Sequence, residues 1–131
     1  MRHQTRAAIE KLNFLLKLDK NRWQQDWNIE LADPNRVDEF CQVYERLYEV
    51  DEKFALMTLI ISSYDDFISE QGDSPELEKR IAQLILTQWE LHVDTIHYWA
   101  LISQPEIEDG FAVTPFMRKI LQQQKSNAQG K

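Results

Sequence analysis

The chain is short of the residues that interrupt helices and of those that cross-link. Its 131 residues hold three glycines, four prolines and one cysteine. A single cysteine excludes an internal disulfide framework, and there is no Cys-x-x-Cys pair for zinc or thiol redox chemistry. Cys41 has no histidine near it in sequence and falls among apolar helical positions, so it reads as a small core residue. Also missing are a Gly-rich phosphate loop and a Gly-x-Ser-x-Gly elbow. Residues 1–13 are amphipathic rather than cationic then apolar, so no secretory-type leader is expected and the cytoplasm is the expected location. With 43% hydrophobic and 28% charged residues, the composition is that of a folded, well-solvated domain.

The scarcity of breakers outlines the architecture. Glycine and proline are absent from 35–71 and from 76–104, so long helices are the natural reading. Asp33-Pro34, Ser74-Pro75 and Thr114-Pro115 each place a capping residue before proline, the pattern of three helix starts. The most apolar stretch, 54–68, has apolar or aromatic side chains around most of a helical circumference, with a polar seam at Thr58, Ser62, Asp65 and Ser69. Its unbroken apolar runs are four and three residues, far short of the about 20 a membrane span needs, so its neighbours must be protein. A helix at about 52–71 is therefore expected at the centre, with Asp51 as its cap and Gly72 ending it.

Around it, a first helix at roughly 4–18 turns Ala8, Ile9, Leu12, Leu15 and Leu16 inward, with Phe14 and Leu18 widening the stripe. Trp23 and Trp27, four apart, read as core lids. The second helix points Val37, Phe40, Cys41, Tyr44, Leu47 and Tyr48 inward. The pattern from Leu77 to Ile102 is too long for one helix of a small domain, and a bend is expected between Leu91 and Thr95. A last helix follows Thr114-Pro115, and the polar tail 122–131 is expected to fray. These features specify an all-α fold: a single domain over 1–121, of five to seven helices around a buried central one.

The net charge is −7, but its distribution is more informative. Between 26 and 109 stand 20 acidic and five basic residues; the flanks carry ten basic and two acidic. A negative middle attracts a cationic partner and disfavours nucleic acid, whose phosphates need the opposite sign. The best arrangement for catalysis or metal binding is Glu90, Asp94 and His97, which share one helical stripe. Asp94-Thr-Ile-His97 matches half of a di-iron carboxylate motif, but the motif occurs once and lacks its further carboxylates. Solvation of a helical face explains the same stripe, so no cofactor or metal is expected.

The run Phe54-Ala-Leu-Met-Thr-Leu-Ile-Ile-Ser-Ser-Tyr-Asp-Asp-Phe, with Ile96-His97-Tyr98-Trp99 and Thr114-Pro115-Phe116-Met117-Arg118, resembles the small helical immunity proteins of bacterial contact-dependent growth inhibition and related toxin systems. The resemblance implies a non-enzymatic antitoxin that binds and blocks the C-terminal domain of one cognate toxin, often a basic nuclease, with no shared catalytic residues. On that reading the partner contacts are carboxylates near helix ends and in the loop after Pro105: Glu45, Glu49, Asp65, Asp66, Glu70, Asp73, Glu106, Glu108 and Asp109. Two alternatives remain open at this level, a helical-bundle enzyme or metal protein using Glu90, Asp94 and His97, and an acidic adaptor with no toxin partner.

Overall fold

Val50–Gln71 forms one unbroken helix, α4, in the computed structural model, which describes residues 3–19, 26–102 and 110–129. Before it come α1 (Arg6–Leu15), α2 (Trp27–Glu30), a 3₁₀ turn (Pro34–Arg36) and α3 (Val37–Arg46); after it come α5 (Pro75–Thr87), α6 (Trp89–Trp99) and α7 (Thr114–Gln129). The described residues contain no strand. α1, α2, the 3₁₀ turn, α3 and α6 all pack on α4, whereas α5 and α7 pack on one another, with α5 also against α3 and both against α6. The fold is the all-α domain that the breaker-free stretches predict.

Why α4 occupies the centre follows from its side chains. Ala55, Leu56, Met57, Leu59, Ile60 and Ile61 are all fully buried, and Tyr64 closes the same core with its ring against Phe67 and edge-on to Phe116. Thr58 and Ser62 of the polar seam are buried too, as is Ser63, and each of these hydroxyls finds a partner. Thr58 Oγ1 donates to the Ala55 carbonyl (2.6 Å) and accepts from Gln4 Nε2 (2.6 Å). Ser62 Oγ accepts from Asn28 Nδ2 (2.8 Å), and Ser63 Oγ accepts from the Asp33 N–H (3.0 Å). Ser62 thereby ties α4 to α2. Buried polar groups need such partners, and here they fix where α2 and the N-terminal segment dock.

Helix ends depart from the sequence reading in informative ways. Asp33 caps the 3₁₀ turn through the Asn35 N–H (2.9 Å), and Ser74 caps α5 through the Leu77 N–H (3.3 Å), as expected. Thr114 instead lies inside the first turn of α7, where its hydroxyl accepts from the Phe111 N–H (3.1 Å) and donates to the Trp99 carbonyl (2.7 Å), joining α7 to the end of α6. Asp51 is not the cap of α4 but a first-turn residue, because the helix begins at Val50. α1 stops at Leu15 and α6 at Trp99, each followed by a non-glycine residue at positive φ: Lys17 at 56° and Leu101 at 55°. In both, an N–H beyond the end reaches back five residues, Leu18 to the Asn13 carbonyl (2.8 Å) and Ile102 to the His97 carbonyl (3.1 Å), which closes a Schellman-type cap. α4 ends at Gly72, whose φ of 85° and ψ of −176° lie in a region almost restricted to glycine.

The long pattern from 75 does break, at Gln88, whose φ of −128° and ψ of 51° separate α5 from α6 a few residues before the expected 91–95. α3 ends at Arg46 with Leu47 extended, so Tyr48, expected inward, is 92% exposed. Phe14 is likewise outside the core at 83% exposure. Trp27 is fully buried, its Nε1 donating to Asn13 Oδ1 (2.8 Å), while Trp23 lies outside the described residues. α7 continues to Gln129, past Leu121 where the apolar pattern stops. Cys41 is buried, and burial pushes its thiol up to about 12, so the neutral, unreactive form prevails. No helix among the described residues is long and apolar enough to cross a membrane.

Candidate functional site

The carboxylates singled out in the sequence divide between the two ends of α4. Glu45 and Glu49 are exposed where α3 turns into α4, and Asp66, Glu70 and Asp73 are exposed at the far end; at 1.5 Å per residue the two groups stand roughly 30 Å apart. Glu106, Glu108 and Asp109 fall outside the described residues. Glu45 is not a free charge. Arg80 of α5, itself mostly covered, reaches Glu45 Oε2 at 3.5 Å and pairs with Asp38 at closer range, pinning α5 onto α3.

Asp65 differs from its neighbour. Its Oδ1 accepts from the Val113 N–H (2.9 Å), across 48 residues. Burial pushes its carboxyl above the ordinary range, the backbone N–H groups at Val113 and Ala112 pull it back, and the charge of Asp66 pushes it up further. Asp65 therefore holds the start of α7, and it does not face solvent at the helix end as a partner contact would. Beside it, Tyr64 Oη donates to Glu78 Oε2 (2.6 Å) and accepts from the Ser74 N–H (2.9 Å), which fixes the α4–α5 turn.

What remains exposed there is a concentrated negative surface. Six acids and no Lys or Arg occur from 65 to 78, and Asp66, Glu70, Asp73 and Glu76 all reach solvent. None of these four forms an ion pair with a described residue. Rigid placement comes from the buried Tyr64 anchor and from Gly72, which lets the chain reverse within three residues.

Glu90, Asp94 and His97 all stand on α6 but do not line one common cavity. Glu90 lines a groove with Val50, Trp89 and Gln124, Asp94 lines a different cavity between α2, α4 and α6, and His97 lines neither. Among the described residues no three His, Cys, Asp or Glu side chains are grouped closely enough to hold a metal ion. His92 turns inward, its Nε2 2.7 Å from Tyr44 Oη, which also bonds Gln88 Oε1 (2.9 Å), so this imidazole braces α6 against α3 beside the Gln88 break.

Sequence reasoning missed the cavity that contains Asp94. It encloses about 280 Å³ and brings together Asp26, Phe54, Asp94, Tyr98 and Trp99, with Gln4, Asn28 and Thr58 as its polar floor. These residues span 96 positions of chain, and no local motif marks their meeting. Comparison of the chain with family models, curated proteins and solved structures finds no match.

Proposed function

We propose that the protein is a non-enzymatic binding protein whose acidic surface neutralises a cationic toxin domain, in the manner of the immunity proteins it resembles. The observation that carries this reading is the exposed Asp66, Glu70, Asp73 and Glu76 group, which has no cationic partner among the described residues. Carboxylates held close together without counter-charge repel one another, so a basic surface that docks there gains attraction and relieves the repulsion. The partner of the resembled family, often a basic nuclease, has the required sign. Asp65 is left out of the contact set, because its carboxylate accepts from the Val113 N–H at the start of α7.

Stopped-flow or surface-plasmon kinetics against the toxin domain encoded upstream test this directly. Steering between opposite charges is screened over about 8 Å at physiological salt, so the association rate should fall as salt rises. An Asp66→Asn, Glu70→Gln, Asp73→Asn triple variant should associate more slowly while melting no lower than the parent. No complex, or an on-rate indifferent to both salt and the triple change, overturns the proposal.

A further inference from the structure

The cavity between α2, α4 and α6 has a chemistry distinct from the acidic turn. Two carboxylates line it, Asp26 from the start of α2 and Asp94 from α6. Asp26 makes no side-chain capping bond to its own helix, and neither acid pairs with a described Lys or Arg. The walls are aromatic: Phe54 and Trp99 are largely buried, while Tyr98, edge-on to Trp99, remains more than half exposed at the mouth. The floor is braced, since Gln4 Nε2 donates to Thr58 Oγ1 and Asn28 Nδ2 to Ser62 Oγ, so the cavity exists before anything enters it. Its volume of about 280 Å³ sits just below the roughly 300–1,000 Å³ of small-molecule sites, the scale of one large side chain.

The geometry points to a receptor for a single arginine side chain presented by a cationic protein partner. A guanidinium is planar, so it stacks on aromatic faces while donating in-plane hydrogen bonds to carboxylates, and its methylene stem suits the apolar walls. Arginine is also among the residues that most often anchor interfaces. Net charge favours the same occupant, because an anion or a neutral apolar residue would leave both carboxylates uncompensated. This deepens the proposed function by supplying an anchoring pocket on a face other than the acidic turn, and it rests on the partner being basic.

The test is a heteronuclear NMR titration of the intact chain with N-acetyl-arginine amide, and in parallel with its neutral isostere N-acetyl-norleucine amide. Saturable shifts are expected at the Trp99 indole N–H and the Asn28, Thr95 and Tyr98 amides with the arginine compound only. Asp26→Asn or Asp94→Asn, both exposed and checked for unchanged spectra elsewhere, should weaken that binding by about fivefold, the upper end for a solvent-accessible ion pair. Equal response to norleucine amide, shifts confined to 66–76, or affinity unchanged in the double variant overturns the assignment. With the upstream toxin domain the two proposals separate. A complex weakened by the acidic-turn triple variant but untouched by Asp26→Asn, Asp94→Asn keeps the function and removes the pocket; arginine amide that fills the cavity in a protein with no toxin binding does the reverse.

Discussion

Asp65 and Asp66 are adjacent in the chain, yet one carboxylate turns inward to the start of α7 and the other outward to water. Sequence reasoning treats them as a pair, since two acids on an apolar helix must each find solvent or a partner. Which of the two finds the partner depends on where residue 113 returns, and no local pattern encodes that. The consequence is measurable. Asp65→Ala strips the Val113 N–H of its acceptor and should cost about 1–3 kcal/mol in urea melts, the usual penalty for an unsatisfied buried polar group. Asp65→Asn keeps an acceptor oxygen and should cost less. The pH dependence has a definite sign. Because the folded carboxyl titrates above the unfolded one, the native state binds more protons between the two values, and this group makes stability fall as pH rises through that interval. Asp65→Asn should remove that contribution. An Asp65→Ala variant as stable as the parent, with the same pH profile, would refute the assignment.

For whole elements, the apolar periodicity of 54–68 was sufficient to locate α4 and to make it central. Leu59→Ala or Ile60→Ala should cost about 2–5 kcal/mol, the range for truncating large buried aliphatics, and denaturant melts that move by less than about 0.5 kcal/mol at both sites would contradict the packing. Ends were less legible, for a physical reason. Helix stops are usually read from glycine, but α1 and α6 close their caps with Lys17 and Leu101 in the left-handed region, and the α5–α6 break at Gln88 uses neither glycine nor proline. Tertiary packing imposes those conformations against local preference; Tyr48 lies outside the core because α3 ends before it, and Phe14, still within α1, projects away from the buried face of Ala8, Ile9 and Leu12. Opposite substitutions test this. Lys17→Gly relieves a strained φ and should stabilise by up to about 1 kcal/mol, whereas Gly72→Ala introduces strain and should cost about 1–3 kcal/mol by thermal melting.

On the scale of the whole molecule, charge was legible and convergence was not. The excess of acids between 26 and 109 predicts a negative surface from composition alone, and the exposed 66–76 group has that sign. The cavity holding Asp26 and Asp94 depends on α2 and α6 meeting over α4, a long-range arrangement that no spacing rule anticipates. α4 carries one more implication, in its backbone rather than its side chains. With its apolar faces covered by earlier helices and by α6, the middle of α4 has no route to water short of unfolding the rest. Amide protons at 55–61 should therefore exchange with deuterium last and through global opening alone, so that their protection equals the free energy from chemical melts. Those at 122–128, exposed along most of the end of α7, should exchange through local opening within far shorter times.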